Sequence, residues 1–341
     1  MRAAIHSPYL DTLGGGERYV SSFAKVLKDS GWDVDLESFD SDILIKIKQR
    51  LGIDLTGIRV TKDIKRGSGY DLCFWLSDGS IPTLYARRNI LHFQRPFFNV
   101  EGRSLINRMK LIRINKVIVN SVFTKKWIDK EYSLDSTVVY PPIDILKFKP
   151  KKKENLILSV GRFSQLEQAK RQDVLIKAFK KLYDSGIRDY RLVLAGGSDV
   201  GRTNYLDRII KDSKGYPIKI LENPTFSEIV SLYATTKLFW SASGCGIDEN
   251  KLPQKVEHFG ISVVEAMSAG CVPLAYDAGG HKEIIENGVN GYLWKSVNSL
   301  LGHTRQLIGD FSLLRKITSQ AKEKSKKYSY ENFKDQILKI I

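Results

Sequence analysis

Three cysteines in 341 residues, Cys73, Cys245 and Cys271, are too few and too scattered for a disulfide framework or a cysteine-built metal centre. A reducing compartment is expected. No stretch of roughly 18 consecutive apolar residues is present, so no membrane-spanning helix is expected. The amino-terminal MRAAIHSPYL lacks the basic-then-apolar order of a secretory signal. These absences predict a cytoplasmic chain, or one resting peripherally on the inner face of a membrane. Internal repeats are missing too, which excludes a solenoid. Acid is the last scarcity: 38 Asp and Glu against 54 Lys and Arg leave a formal charge of +16. Such a field draws in polyanions. Nucleic acid is not among the expected partners, because no aromatic-rich recognition motif or zinc spacing accompanies the charge.

What is there is an ordinary globular composition, 42% hydrophobic and 27% charged, in a chain long enough for two domains. The basic excess concentrates between Arg87 and Lys116, where eight cations face the single acid Glu101. Inside that stretch, RSLINRMKLIRINK (103–116) mixes Leu105, Ile106, Met109, Leu111, Ile112 and Ile114 with arginine and lysine. That is the composition of a helix lying on an anionic membrane surface. A core helix with a solvated basic face has the same composition.

The chain opens with strand-like RAAIHSPY, the glycine turn LGGGERY, a helical run YVSSFAKVLKDSG and strand-like WDVDLESF, a βαβ unit. Further strands are predicted at 71–77, 89–94, 116–121 and 137–142. The lysine run KFKPKKKE then reads as a linker, 149–154, after a first domain of 1–148. The pattern restarts over 155–325 with strands at 156–162, 190–197, 218–224, 237–243 and 271–277 and helices at 172–186, 227–236 and 263–270. The tail 326–341 has helical apolar spacing and is expected to return to the first domain. The predicted fold class is α/β: two doubly wound parallel-sheet, Rossmann-like domains facing a cleft, where ligands gather at strand carboxyl ends.

Several residues could carry chemistry. Gly14, Gly15 and Gly16 permit close backbone approach to a ligand at a helix start, although they do not form the spaced dinucleotide fingerprint. Asp33 and Asp35 form an acid-x-acid triplet, which strand alternation explains without a metal. Arg162 follows a strand and Lys170 precedes a helix, so two cations flank one loop and could clamp a diphosphate. Ser262 and Glu265 fit a capping box. Glu257 has no such structural reading. It lies just ahead of Gly260 and a helix start whose amides attract anions.

The motifs GGGER, YPPID, SVGRF and EHFGISVVEAMSAGCVP, the last holding Glu257 and Glu265 as E-x7-E, resemble those of the retaining, two-Rossmann-domain (GT-B) nucleotide-sugar glycosyltransferases, glycosyl transferases group 1. More narrowly they are similar to the α-1,2-mannosyltransferases that extend dolichol-linked oligosaccharides. The resemblance implies that Glu257 holds donor sugar hydroxyls, Glu265 accepts from the ribose, and Arg162 and Lys170 neutralise the diphosphate. It implies diphosphate contacts from amides of Gly260, Ile261, Ser262 and Val263, a place for His92 near the transferred sugar, and Gly15 and Gly16 beside the phosphates. The Arg162–Lys170 loop is longer than usual for the family, so either Lys170 or Arg171 is the expected diphosphate contact. The loop 243–255 is also long.

The expected activity is metal-independent transfer of a hexose, mannose favoured, from GDP-mannose or a UDP-sugar to a glycan or lipid-linked glycan. No tightly bound cofactor is expected; the nucleotide sugar is substrate. Two other classes fit parts of the sequence. An NAD-dependent dehydrogenase would use the glycine turn, and a non-catalytic basic scaffold would bind membrane or nucleic acid.

Overall fold

Apolar runs alternating with glycine-closed helices build two parallel sheets, described in a computed structural model over residues 1–165, 168–198 and 204–341. One unit comprises Met1–Pro142 with Tyr330–Ile341, the other Ile143–Ser329. The first sheet holds β1 (Arg2–His6), β2 (Asp33–Glu37), β3 (Arg59–Thr61), β4 (Leu72–Leu76), β5 (Arg88–Phe93), β6 (Lys116–Val119) and β7 (Thr137–Val138). The second holds β8 (Glu154–Val160), β9 (Arg191–Gly196), β10 (Ile218–Glu222), β11 (Thr236–Ser241), β12 (Val272–Tyr276) and β13 (Tyr292–Trp294). Their orders are β3-β2-β1-β4-β5-β6-β7 and β10-β9-β8-β11-β12-β13, all paired in parallel. In each sheet the chain starts in the middle, builds one edge, then jumps back to build the other. The loops after β1 and β4, and after β8 and β11, therefore diverge at a switch point, the place where such sheets bind ligands.

Central strands are apolar on both faces because helices cover both: Ala3, Ala4 and Ile5 in β1, and Leu156, Ile157 and Leu158 in β8, are all buried. Helix Gly15–Asp29 buries Tyr19, Val20, Phe23, Ala24 and Leu27, one helical stripe, against the first sheet. The tail forms helix Tyr330–Leu338, whose Phe333 and Ile337, one turn apart, complete the same core; Phe333 meets Tyr19 edge-on at 5.2 Å. The expected return of the tail to the first domain is thus observed. Each such apolar side chain contributes about 1.5–3 kcal/mol when fully buried.

Sequence and structure differ at particular elements. The GGGER turn is itself the first turn of helix Gly15–Asp29, with Gly14 as its cap, because Glu17 reaches back to the Gly14 amide at 2.7 Å. The strand expected at 137–142 stops at Val138, short of Pro141 and Pro142, which cannot donate to a ladder. Asp35 is not turned outward: it is buried, bonded by Arg59 Nε at 2.7 Å and Tyr70 Oη at 2.6 Å, with Arg2 at 3.4 Å. Burial would raise its pKa, but Arg59 and Tyr70 hold it below the ordinary carboxylate range. The segment read as a linker, 149–154, lies within the second unit. Phe148 just before it is buried edge-on to Phe226 and Tyr233, and the Lys153 ammonium donates to the carbonyls of Ala269 at 2.7 Å and Tyr233 at 3.2 Å.

Candidate active site

The switch point of the second sheet is built on glycine. A Cβ on Gly196, at the end of β9, would sit 2.0 Å from the Gly161 carbonyl oxygen, and one on Gly161 would sit 2.7 Å from Lys170 Cγ. With both side chains absent, the aliphatic stem of Lys170 folds over the end of β8. Gln172 fixes this loop by donating to the carbonyls of Gly161 at 3.2 Å and Arg162 at 3.0 Å. The Lys170 ammonium then reaches across the switch point to Glu257 in the loop after β11, with Nζ to Oε2 at 2.6 Å. Leu166 and Glu167, in the unusually long part of this loop, lie outside the described residues.

Glu257 is only 9% exposed. Burial would raise its pKa, yet the neighbouring ammonium outweighs burial and holds the carboxyl down to about 2, so it is ionised throughout the working range. Its main chain is gripped as well. Gly280 donates to the Glu257 carbonyl at 2.8 Å, and a Cβ on Gly279 or Gly280 would lie 2.1 Å from that oxygen or 2.4 Å from Phe259 Cα. Two backbones therefore touch directly, which only the Gly279–Gly280 pair at the end of β12 allows. Next to them His281 is buried and its pKa lowered by that burial. Its Nδ1–H donates to the Tyr276 carbonyl at 2.8 Å, and its Nε2 lies 3.2 Å from Ser241 Oγ. The long loop joins in: Glu249 accepts from the Gly279 amide at 2.6 Å and pairs with Lys282.

Helix Ile261–Ser268 starts immediately after. Its cap is Gly260 at φ 115°, a left-handed conformation costly for any other residue. Val263 and Val264 bond back to the Gly260 carbonyl at 3.0 and 3.3 Å, whereas the amides of Ile261 and Ser262 precede the first intrahelical bond. This end therefore offers donors and a positive dipole beside Lys170 and Glu257. The expected capping box is not formed, because the helix begins one residue before Ser262. Glu265 is buried and accepts from Tyr233 Oη at 3.0 Å, on the side where that hydroxyl also lies 3.2 Å from the Ser262 carbonyl.

The two other cations separate by their partners. Arg171 stands at φ 52° ahead of its helix, paired with Asp173 at 3.1 Å and donating to the Cys245 carbonyl at 2.7 Å, so its guanidinium ties two loops together. The exposed Arg162 side chain makes no ion pair among the described residues. Lys170, Glu257, Gly260, Ile261, Ser262 and Val263 are thus brought together around one switch point, with Arg162 on the loop that carries Lys170. Gly279, Gly280, His281 and Glu249 belong to the same constellation and were missed. The doubled glycine in YDAGGH, directly after a predicted strand, was the signal available.

In the first unit Gly15 and Gly16 lie in the first helical turn, where a Cβ on Gly16 would sit 2.8 Å from Gln94 Oε1. His92 is 0% exposed, stacked on Tyr19 at 4.0 Å, with Nδ1–H donating to the Ile118 carbonyl at 3.2 Å. Burial drives its pKa down to about 3, against a small opposing effect of that carbonyl. The structure does not bring His92 to any surface, because the strand's inward pleat and the Tyr19 ring enclose it.

Residues 143–324 match the family described as glycosyl transferases group 1. The chain belongs to that family. The match coincides with the second unit, which holds Lys170 and Glu257 on its switch-point loops. Among relatives of this glycosyltransferase, the GDP-Man:Man(3)GlcNAc(2)-PP-Dol alpha-1,2-mannosyltransferase of Dictyostelium discoideum is 26% identical over 68% of the chain and 47% of its own length. The mouse enzyme of that name is 30% identical over 61% of the chain and 48% of its own length. The chain spans about half the length of these mannosyltransferases. A glycosyltransferase from Rickettsia africae has the same fold, with TM-score 0.78 and 18% identity over 99% of this chain and 97% of that one. Anabaena HepE, solved in complex with UDP, gives 0.75 and 20% over 99% and 98%. No helix among the described residues is long and apolar enough to cross a membrane.

Proposed function

We propose that this glycosyltransferase moves a hexose, mannose by preference, from a nucleotide diphosphate sugar to a glycan or lipid-linked glycan with retention of anomeric configuration and without a metal. The observation that carries the reading is the Lys170–Glu257 pair across the second unit's switch point, beside a glycine-capped helix start. An ammonium has three donors, so Lys170 can keep Glu257 and still donate to a diphosphate oxygen. Arg162 adds a second cation, and the amides of Ile261 and Ser262 a third source of positive potential.

As the bond from C1 to the diphosphate breaks, negative charge grows on the leaving oxygen, and groups already fixed around it stabilise that charge more than the ground state. The acceptor hydroxyl bonds to C1 on the same face and passes its proton to the departing phosphate oxygen. Glu257 hydrogen-bonds donor hydroxyls and opposes the positive charge at C1. A nucleophilic role, as in retaining glycosidases, fits less well, since an ammonium at 2.6 Å blunts the carboxylate. Preference for GDP-mannose rests on the mannosyltransferase relatives. Nucleotide release measured across GDP-mannose and a panel of UDP-sugars, with chelator present, tests this reading. Release from GDP-mannose that survives chelation supports it; release from no donor overturns it.

A further inference from the structure

In the first unit, helix Leu105–Leu111 buries none of its residues. The side chain facing the sheet is Leu111, which with Ile114 packs against the cluster of Phe93, Phe97 and Tyr132. Opposite it stand Leu105, Ile106, Met109 and Ile112, exposed by 75, 66, 62 and 84%. Their spacing, i, i+1, i+4 and i+7, makes one outward stripe. A surface helix normally shows the reverse, apolar in and polar out. Arg103, Arg108 and Arg113 are exposed around the stripe, and no carboxylate lies on it.

The surroundings match. Ser104 caps this helix at the rim of a cavity of about 740 Å³ lined by Phe98, Trp127, Arg103 and Lys130, rings and cations of the kind found at the headgroup level of bilayers. Of the two acids on that rim, Glu131 is committed to the amides of Asn99, Val100 and Gly102 at 3.0, 3.1 and 3.1 Å, and Glu101 is exposed. We infer that helix Leu105–Leu111 with Ile112 seats in the interface of an anionic bilayer, apolar stripe among the acyl chains and arginines at the phosphates. The positive surround selects a lipid surface over an apolar protein groove, because anionic leaflets reward each cation held at their surface.

The test is sedimentation of the whole chain with vesicles at about 0.15 M salt, where long-range attraction is largely screened. Vesicles containing phosphatidylglycerol should hold at least about tenfold more protein than phosphatidylcholine alone. Met109→Glu with Ile112→Glu, and separately Arg108→Glu with Lys110→Glu, should each lower that partition about tenfold, whereas Met109→Leu with Ile112→Leu should retain it. Circular dichroism and nucleotide release on the same samples check the fold and separate a failed membrane contact from a failed transfer reading. Equal sedimentation with both vesicle types, or unaltered binding by the Met109→Glu/Ile112→Glu variant, overturns the inference. Lipid-free self-association that this variant abolishes would assign the stripe to a second copy and overturn it as well.

Discussion

The two units share one strand order and differ in what their switch-point loops leave uncommitted. In the first, the glycine turn after β1 is closed by its own Glu17, and Asp35 and His92 face inward onto Arg59 and Tyr19. In the second, the loops after β8 and β11 bring an ammonium and a buried carboxylate to the same place, next to helix amides with no intrahelical acceptor. One topology therefore serves two purposes. The proposed function places the chemistry at the second unit's switch point, and fold alone does not say which unit that is.

The comparison breaks most sharply at the carboxylates. Glu257→Ala should depress turnover by about 10²–10³-fold with the circular dichroism unchanged, because it removes a fixed charge at the reacting centre. Asp35→Ala, by contrast, should leave turnover per folded molecule unaltered. If Glu257→Ala keeps near-wild-type turnover, the contrast between the units is lost.

The cations sharpen it next. Lys170→Met should lower turnover by roughly 10–100-fold, as loss of a charge-assisted contact to a leaving group does. Arg171→Met should instead lower the melting temperature through its loop ties to Asp173 and Cys245 and change turnover less. Equal kinetic losses in both variants would place Arg171 on the phosphate.

A smaller effect is expected at Glu265. Glu265→Ala should raise the Kd for nucleotide about tenfold in a titration while kcat falls little, the size of one lost hydrogen bond to a charged group. An unchanged Kd would confine Glu265 to its bond with Tyr233.

The last effect, on stability and not on turnover, belongs to the first unit. His92 has a folded-state pKa of about 3, below its ordinary 6.5, so its contribution to stability is complete above pH 6.5 and is lost as pH falls towards 3. Buried His281, whose pKa burial also lowers, acts in the same direction. Between its two pKa values His92 adds a slope of about 1.4 kcal/mol per pH unit. His92→Gln, which keeps a donor for the Ile118 carbonyl, should flatten the fall in melting temperature between pH 6.5 and 4 without altering turnover. A slope identical to wild type would mean that His92 is not held neutral.

Much of this was legible from residue order. Strand, glycine and helix in succession announced parallel sheets, and E-x7-E after a strand announced the loop that carries Glu257. The rest was hidden for physical reasons. Asp35 reads as an outward strand acid because its partners Arg59 and Tyr70 are 24 and 35 residues away. The Ser262–Glu265 spacing mimics a capping box, but a left-handed Gly260 caps the helix two residues earlier. Gly279 and Gly280 look like an ordinary turn until the Glu257 backbone is seen lying against them. For Asp35 and the Gly279–Gly280 pair the deciding contact joins residues far apart in the chain.

The most direct test of the central claim is a crystal structure of the chain soaked with GDP-mannose. The account predicts the diphosphate within hydrogen-bond distance of Lys170 and Arg162, at the amino end of helix Ile261–Ser268, with sugar hydroxyls on Glu257. A nucleotide bound elsewhere, touching none of these groups, would contradict it.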